Sequence, residues 1–90
     1  MPKARTVILN ALGLHARPAM AFVELASTFG SDVKVRRADN EEEVDGKSIM
    51  QMLLLAATQG TEIEIDAPGA DGDAALRALV KLVESKFDEE

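Results

Sequence analysis

Gly13-Leu14-His15-Ala16-Arg17-Pro18-Ala19 marks a change of secondary structure and carries the chain's only histidine. Upstream, the apolar residues of Thr6-Val7-Ile8-Leu9 read as a strand. Downstream, Ala19, Phe22, Val23, Ala26 and Phe29 recur at spacings of three and four, the period of a helix packed on one face. Pro18 suits only the first turn of that helix, because deeper in it would remove a backbone hydrogen bond and clash with the preceding turn. His15 therefore falls at or beside the N-cap, where the first backbone N–H groups have no intrahelical partner and the helix dipole favours negative charge. The positive helix end disfavours imidazolium, which leaves a ring nitrogen available as a nucleophile. A phosphoryl group on it would be held by the helix N–H groups and the Arg17 guanidinium.

Outward from this stretch, the strand runs from Lys3 to Leu9 with Thr6 and Ile8 facing inward, and Asn10-Ala11-Leu12-Gly13 turns the chain. The first helix is expected over Ala16 to Phe29, with Arg17, Met20, Ala21 and Glu24 outside and Gly30 as its C′ stop. Asp32-Val33-Lys34-Val35-Arg36 alternates as a half-buried strand with the valines inward. Asp39-Asn40-Glu41 is turn chemistry, so a short third strand near Glu42 to Val44 completes a hairpin with an acidic edge.

Ser48 is placed to cap a second helix, expected over Ser48 to Ala57. That helix is apolar on two opposed faces, with Met52, Leu55 and Ala56 on one and Ile49, Met50, Leu53, Leu54 and Ala57 on the other. A two-layer domain of this size buries only one of them. Gly60 is expected to end the helix, and Glu62-Ile63-Glu64-Ile65-Asp66 alternates as a fourth strand. Asp71 or Asp73 then caps a final helix to about Phe87, with Leu76, Leu79, Val80, Val83 and Phe87 as its buried stripe.

Ninety residues are expected to form one domain, residues 1–90, with one modest core. With no cysteine and a single histidine, stability is expected from packing, with neither metal nor organic cofactor. A net charge of −6 with three Phe and no Tyr or Trp argues against a nucleic-acid partner. No stretch is long and apolar enough to span a bilayer, and a soluble, cytoplasmic monomer is expected. The acidity gathers in Asp39 to Asp45 and in the tail from Asp88, leaving the His15–Arg17 end open to an acidic partner or a phosphate.

Gly13 to Ala19, Gly46-Lys47-Ser48-Ile49-Met50 and Thr58-Gln59-Gly60 together resemble the HPr family, the histidine-containing phosphocarriers of the bacterial phosphotransferase system. All three segments stand in the family's order and spacing. The resemblance implies an α+β, two-layer open-faced sandwich, β-α-β-β-α-β-α, with an antiparallel sheet in the order 1-4-2-3 and three helices on one face. It implies that His15 takes a phosphoryl group on Nδ1 from enzyme I, itself phosphorylated by phosphoenolpyruvate, and passes it to a histidine on the A component of enzyme II. The chain is then a phosphoryl carrier with Arg17 in support, not a stand-alone enzyme. The resemblance also assigns Met52, Leu55 and Ala56 to the core, which leaves Ile49, Met50, Leu53, Leu54 and Ala57, with Met20, as a partner-binding patch. Ser48 stands where many members, chiefly in Gram-positive bacteria, carry a regulatory serine, which implies a serine kinase and phosphatase as further partners. Within the family, the nitrogen-type branch is an alternative, and the tail Phe87-Asp88-Glu89-Glu90 resembles it. A module that binds without transferring is another, against which the presence of both His15 and Arg17 argues. A hydrolase is disfavoured because His15 has no recognisable nucleophile partner in the sequence.

Overall fold

The computed structural model describes residues 3–9, 13–55 and 57–88. The element order is β1 (Lys3–Val7), α1 (Ala16–Ala26), β2 (Lys34–Arg37), β3 (Glu43–Asp45), α2 (Ile49–Leu54), β4 (Glu62–Asp66) and α3 (Gly72–Glu84), followed by a 3-10 turn at Lys86–Asp88. The expected turn at Asn10-Ala11-Leu12, the core position of Ala56 and the tail residues Glu89 and Glu90 lie outside the described residues.

All strand pairs are antiparallel, in the order β1-β4-β2-β3, and the helices cover one face. Strand alternation places Thr6, Val35, Ile63 and Ile65 on the covered face, where all are buried with Ile8 and Val33. Phe22 and Ala26 of α1, Met52 of α2 and Leu79 and Val83 of α3 complete the core.

Alternation sends the charges of the same strands to the open face, where the register lines them up in two rows. Arg5 stands opposite Glu64, Glu64 opposite Arg36 and Arg36 opposite Glu43; one row on, Lys3, Asp66, Lys34 and Asp45 follow in the same order of strands. Neither row sets like charges directly opposite, an arrangement that would be destabilising. Glu64 is the best-connected member, accepting from Arg36 Nε at 3.0 Å and from Arg5 Nε at 3.4 Å. Burial raises its pKa, but the Arg36 charge and the bonds from both arginines outweigh that and leave it below the usual glutamate value.

The strands and helices differ from expectation mainly at their ends. β1 stops at Val7, while β2 and β3 each begin and end one or two residues later than the alternation predicts. α1 ends at Ala26, not Phe29, because Thr28 turns back to bond the Leu25 carbonyl through both its N–H and its hydroxyl. Gly30 is accordingly no C′ residue; its N–H donates to Asp71 Oδ2 at 2.8 Å. α2 ends at Leu54, well short of Ala57, so Gly60 serves the turn into β4 instead of stopping a helix. α3 stops at Glu84, and Lys86 and Phe87 adopt left-handed φ values of 59° and 57°. Two such residues together cost roughly 2–4 kcal/mol, comparable with the about 1.5–3 kcal/mol from burying a Phe. Phe87 is indeed buried, so it joins the core through a turn rather than along the helix.

Asp71 occupies the N-cap position of α3, yet its side chain makes no capping bond. Its carboxylate instead accepts from the Gly30 and Ser31 N–H groups and the Ser31 hydroxyl, tying the loop after α1 to the start of α3. The Ser31 hydroxyl bond, then the Gly30 N–H, holds the Asp71 pKa below the usual aspartate value despite some desolvation. A carboxylate with a depressed folded pKa stabilises fully above its unfolded value of about 3.9, and that contribution is lost as pH falls through the folded value. Asp71→Asn should therefore lower the thermal midpoint at neutral pH, and the gap from wild type should narrow as pH drops below about 3.9. Melting curves followed by circular dichroism across that window check this; a gap independent of pH would refute it.

Candidate functional site

His15 is the N-cap of α1, with φ −84° and ψ −170°, and its ring makes no capping bond. Its own carbonyl accepts from Ala19 N at 2.9 Å and so starts the helix. The residue is partly exposed, with the Nε2 edge of the ring buried. Pro18 is the third helical residue and contributes no N–H, so Ala16 and Arg17 supply the first N–H groups without intrahelical partners. The first turn holds no acidic residue. Arg17 is exposed and takes part in no ion pair among the described residues. One helix start thus brings together an imidazole, outward backbone N–H groups and a guanidinium, a set suited to a phosphoryl group.

The loop that delivers His15 is held from below. Leu14 N–H donates to the Ala57 carbonyl at 2.8 Å, and Gly13 has a φ of 69°, a conformation that disfavours any residue with a Cβ. On the other side of the loop, Gly60 N donates to the Ile8 carbonyl and Gln59 Nε2 to the Leu9 carbonyl. The segment after α2 therefore grips both ends of the loop.

α1 and α2 also present the apolar residues expected as a patch. Met50 and Leu54 are 74% and 77% exposed, far beyond what core packing allows, and Met20 and Leu53 are exposed with them. Met52 and Leu55 face the core as expected. Two members are corrected. Ala57 is only 3% exposed, because the helix has already ended and the chain turns it inward beneath Leu14. Ile49 is half-buried and packs against the core, so it borders the patch without projecting from it.

Ser48 caps α2, its Oγ accepting from Gln51 N at 3.3 Å. Gln51 reaches back with Oε1 to Asp45 N at 2.8 Å, joining β3 to the helix start. Its role is absent from the expectations above, although Ser48 followed three residues later by glutamine is the sequence signature of a capping box. The grip of Ala57 on Leu14 has no such signature, since the partners are distant in sequence.

The family model described as PTS HPr component phosphorylation site matches residues 2–85. The chain belongs to the HPr family. It is 46% identical to phosphocarrier protein HPr of Pseudomonas aeruginosa over 89 residues, covering 99% of this chain and 98% of that one. It is also 43% identical to phosphocarrier protein NPr of Proteus mirabilis over 86 residues, covering 96% and 94%. The crystal structure of an HPr from Thermoanaerobacter tengcongensis superposes with a TM-score of 0.92 at 43% identity, covering 100% of this chain and 99% of the other. Family membership carries a phosphocarrier role in the phosphotransferase system. Among the described residues no helix is long and apolar enough to cross a membrane.

Because Ser48 supplies the capping oxygen of α2, Ser48→Ala should destabilise the protein by about 0.5–2 kcal/mol and Ser48→Asp by little, aspartate being an equally good cap. Urea unfolding of the two variants checks this, and equal losses would contradict the capping role.

Proposed function

We propose that His15 accepts a phosphoryl group from phosphorylated enzyme I and passes it to a histidine on the A component of enzyme II. The observation that carries this reading is the position of an imidazole, unused as a cap, at an N-terminus lined by the N–H groups of Ala16 and Arg17 and the Arg17 guanidinium. In each transfer the lone pair of the unprotonated nitrogen of the acceptor imidazole forms the nitrogen–phosphorus bond as the donor's bond to phosphorus breaks and leaves its electron pair on the donor, while the acceptor's other ring nitrogen keeps its proton. Burial of Nε2 supports Nδ1 as the nitrogen that carries the phosphoryl group. The helix N–H groups and Arg17 then stabilise the transferring oxygens without having to reorganise. Matches to both HPr and NPr relatives leave two classes of A component as acceptors, sugar-linked and nitrogen-type. Comparing the rate of passage to each assigns the branch.

The exposed surface of Met20, Met50, Leu53 and Leu54, bordered by Ile49, lies on the helices that carry His15 and Ser48 and suits docking of these partners. Methionines adapt to different partner surfaces, which fits a carrier that must meet a donor and an acceptor in turn. Ser48 is a regulatory position in this reading, because a phosphate there would set negative charge beside the apolar patch and cost desolvation on docking. A serine kinase and phosphatase would be the partners of that control.

With enzyme I and phosphoenolpyruvate, His15→Ala should accept no acid-labile phosphate while keeping a native melting curve; full acceptance would sink the assignment. Arg17→Ala should slow acceptance about tenfold to a thousandfold, the scale of losing one charge-stabilising group. An unchanged rate would remove Arg17 from the mechanism. Met50→Glu should weaken binding to enzyme I, measured by titration calorimetry, with little change in melting temperature, since Met50 is 74% exposed. A large fall in melting temperature with binding retained would place Met50 in the core.

A further inference from the structure

We propose that Gly13 is a positioning residue for phosphoryl transfer, because only a residue without a Cβ lets the Ala57 carbonyl close on the loop that carries His15. A Cβ built at Gly13 would lie 2.6 Å from the Ala57 oxygen and 2.8 Å from the Thr58 Cα. Both neighbours are backbone, so no side-chain rotation relieves the overlap and either the loop or the segment after α2 must move. The φ of 69° adds a second penalty for any L-residue with a Cβ.

The consequence for His15 follows from the bonds on either side. Leu14 N–H donates to the Ala57 carbonyl at 2.8 Å, and His15 N–H donates back to the Gly13 carbonyl at 3.0 Å. Leu14 is buried, and its side chain joins the core. Gly13, Leu14 and His15 therefore form a short rigid step standing on Ala57, and the step sets the height and direction of the imidazole over the N–H groups of Ala16 and Arg17. Ala57 itself follows α2, the helix that carries Met50 and Leu54. The close approach of Gly13 to Ala57, which requires glycine, thus contributes to holding the acceptor nitrogen in place relative to the docking surface.

This role rests on His15 being the acceptor, and it separates chemistry from docking. In Gly13→Ala no residue of the patch is replaced, so the KM of phosphorylated enzyme I for the variant should stay near that for wild type, while kcat for phosphorylation of His15 falls about tenfold to a hundredfold, the effect expected of misplacing a reacting group by about an ångström. The 15N shifts of the His15 ring should move with it. Gly13→D-Ala, made by chemical synthesis, keeps the positive φ relaxed and puts its methyl in place of the other Cα hydrogen. It should restore both kcat and the ring shifts. A folded Gly13→Ala with the kcat and ring shifts of wild type would overturn the inference, as would equal losses in the two alanine variants. If Gly13→Ala does not fold, replacing the Leu14 amide by an ester removes the N–H that reaches Ala57 and weakens the Gly13 carbonyl that accepts from His15, loosening the same step at both bonds; lowered kcat at constant KM then supports the role, and unchanged kcat overturns it. Failure of wild type to accept phosphate at all would refute the assignment of His15, and the ring shifts of the two alanine variants would still decide whether Gly13 sets the imidazole's position.

Discussion

The pairing of β4 between β1 and β2 is the constraint on which the rest of the structure depends. Among the described residues, β1 pairs with β4 and with no other strand, and β2 links this pair to β3. The strand that completes the sheet therefore comes last in the chain, more than fifty residues after the strand it joins. Ile63 and Ile65 supply the reason for its central place, since both are fully buried under the helices and lie in register with Thr6 and Ala4 on one side and with Arg37 and Val35 on the other. Such long-range pairing has to meet its closure entropy before the buried area offsets it.

The same pairing settles the electrostatics of the uncovered face. Lys3 and Arg5 on β1, Glu64 and Asp66 on β4, Lys34 and Arg36 on β2, and Glu43 and Asp45 on β3 form alternating rows because acidic β4 separates the two basic strands β1 and β2. In chain order the two basic strands β1 and β2 would be neighbours and their charges would oppose like with like. The charge pattern thus agrees with the observed order and disfavours the chain order. The uncovered face is largely charged, and apart from Val7 and Leu9, at and just beyond the end of β1, the large exposed apolar residues among those described lie on α1 and α2.

The candidate site is built from parts whose local reasons differ. Helix-start chemistry places His15 and Arg17, a serine cap and its Gln51 companion start α2, and the end of α2 folds under the His15 loop. The division between Met52 and Leu55 inside and Met50 and Leu54 outside follows from one face of a short helix packing against α1 and the core. The exposed apolar patch and His15 are linked because α1 and α2 pack together and the Ala57 segment after α2 holds the loop that delivers His15.

Much of this was legible in the amino-acid order alone, wherever the signal is local. Pro18 within a helical period locates the start of α1 and so the place of His15; the alternation of Glu62 to Asp66 delimits β4 without error; and Ser48 announces a cap. These rest on period, backbone geometry and hydrogen bonds within a few residues. The strand order followed from the family resemblance and not from the pattern, because alternation tells which side of a strand is buried but not which strand lies beside it. Tertiary structure alone decided the rest. Asp71 gave up its capping role for the Gly30 and Ser31 N–H groups of a loop forty residues away, and Phe87 left the helix to reach the core. Ala57, apolar and in phase with the exposed face, turned inward because Leu14 needed its carbonyl and Gly13 left room for it. A bond between residues distant in sequence leaves no periodic trace, and it outweighs a propensity worth only a fraction of a kcal/mol per residue.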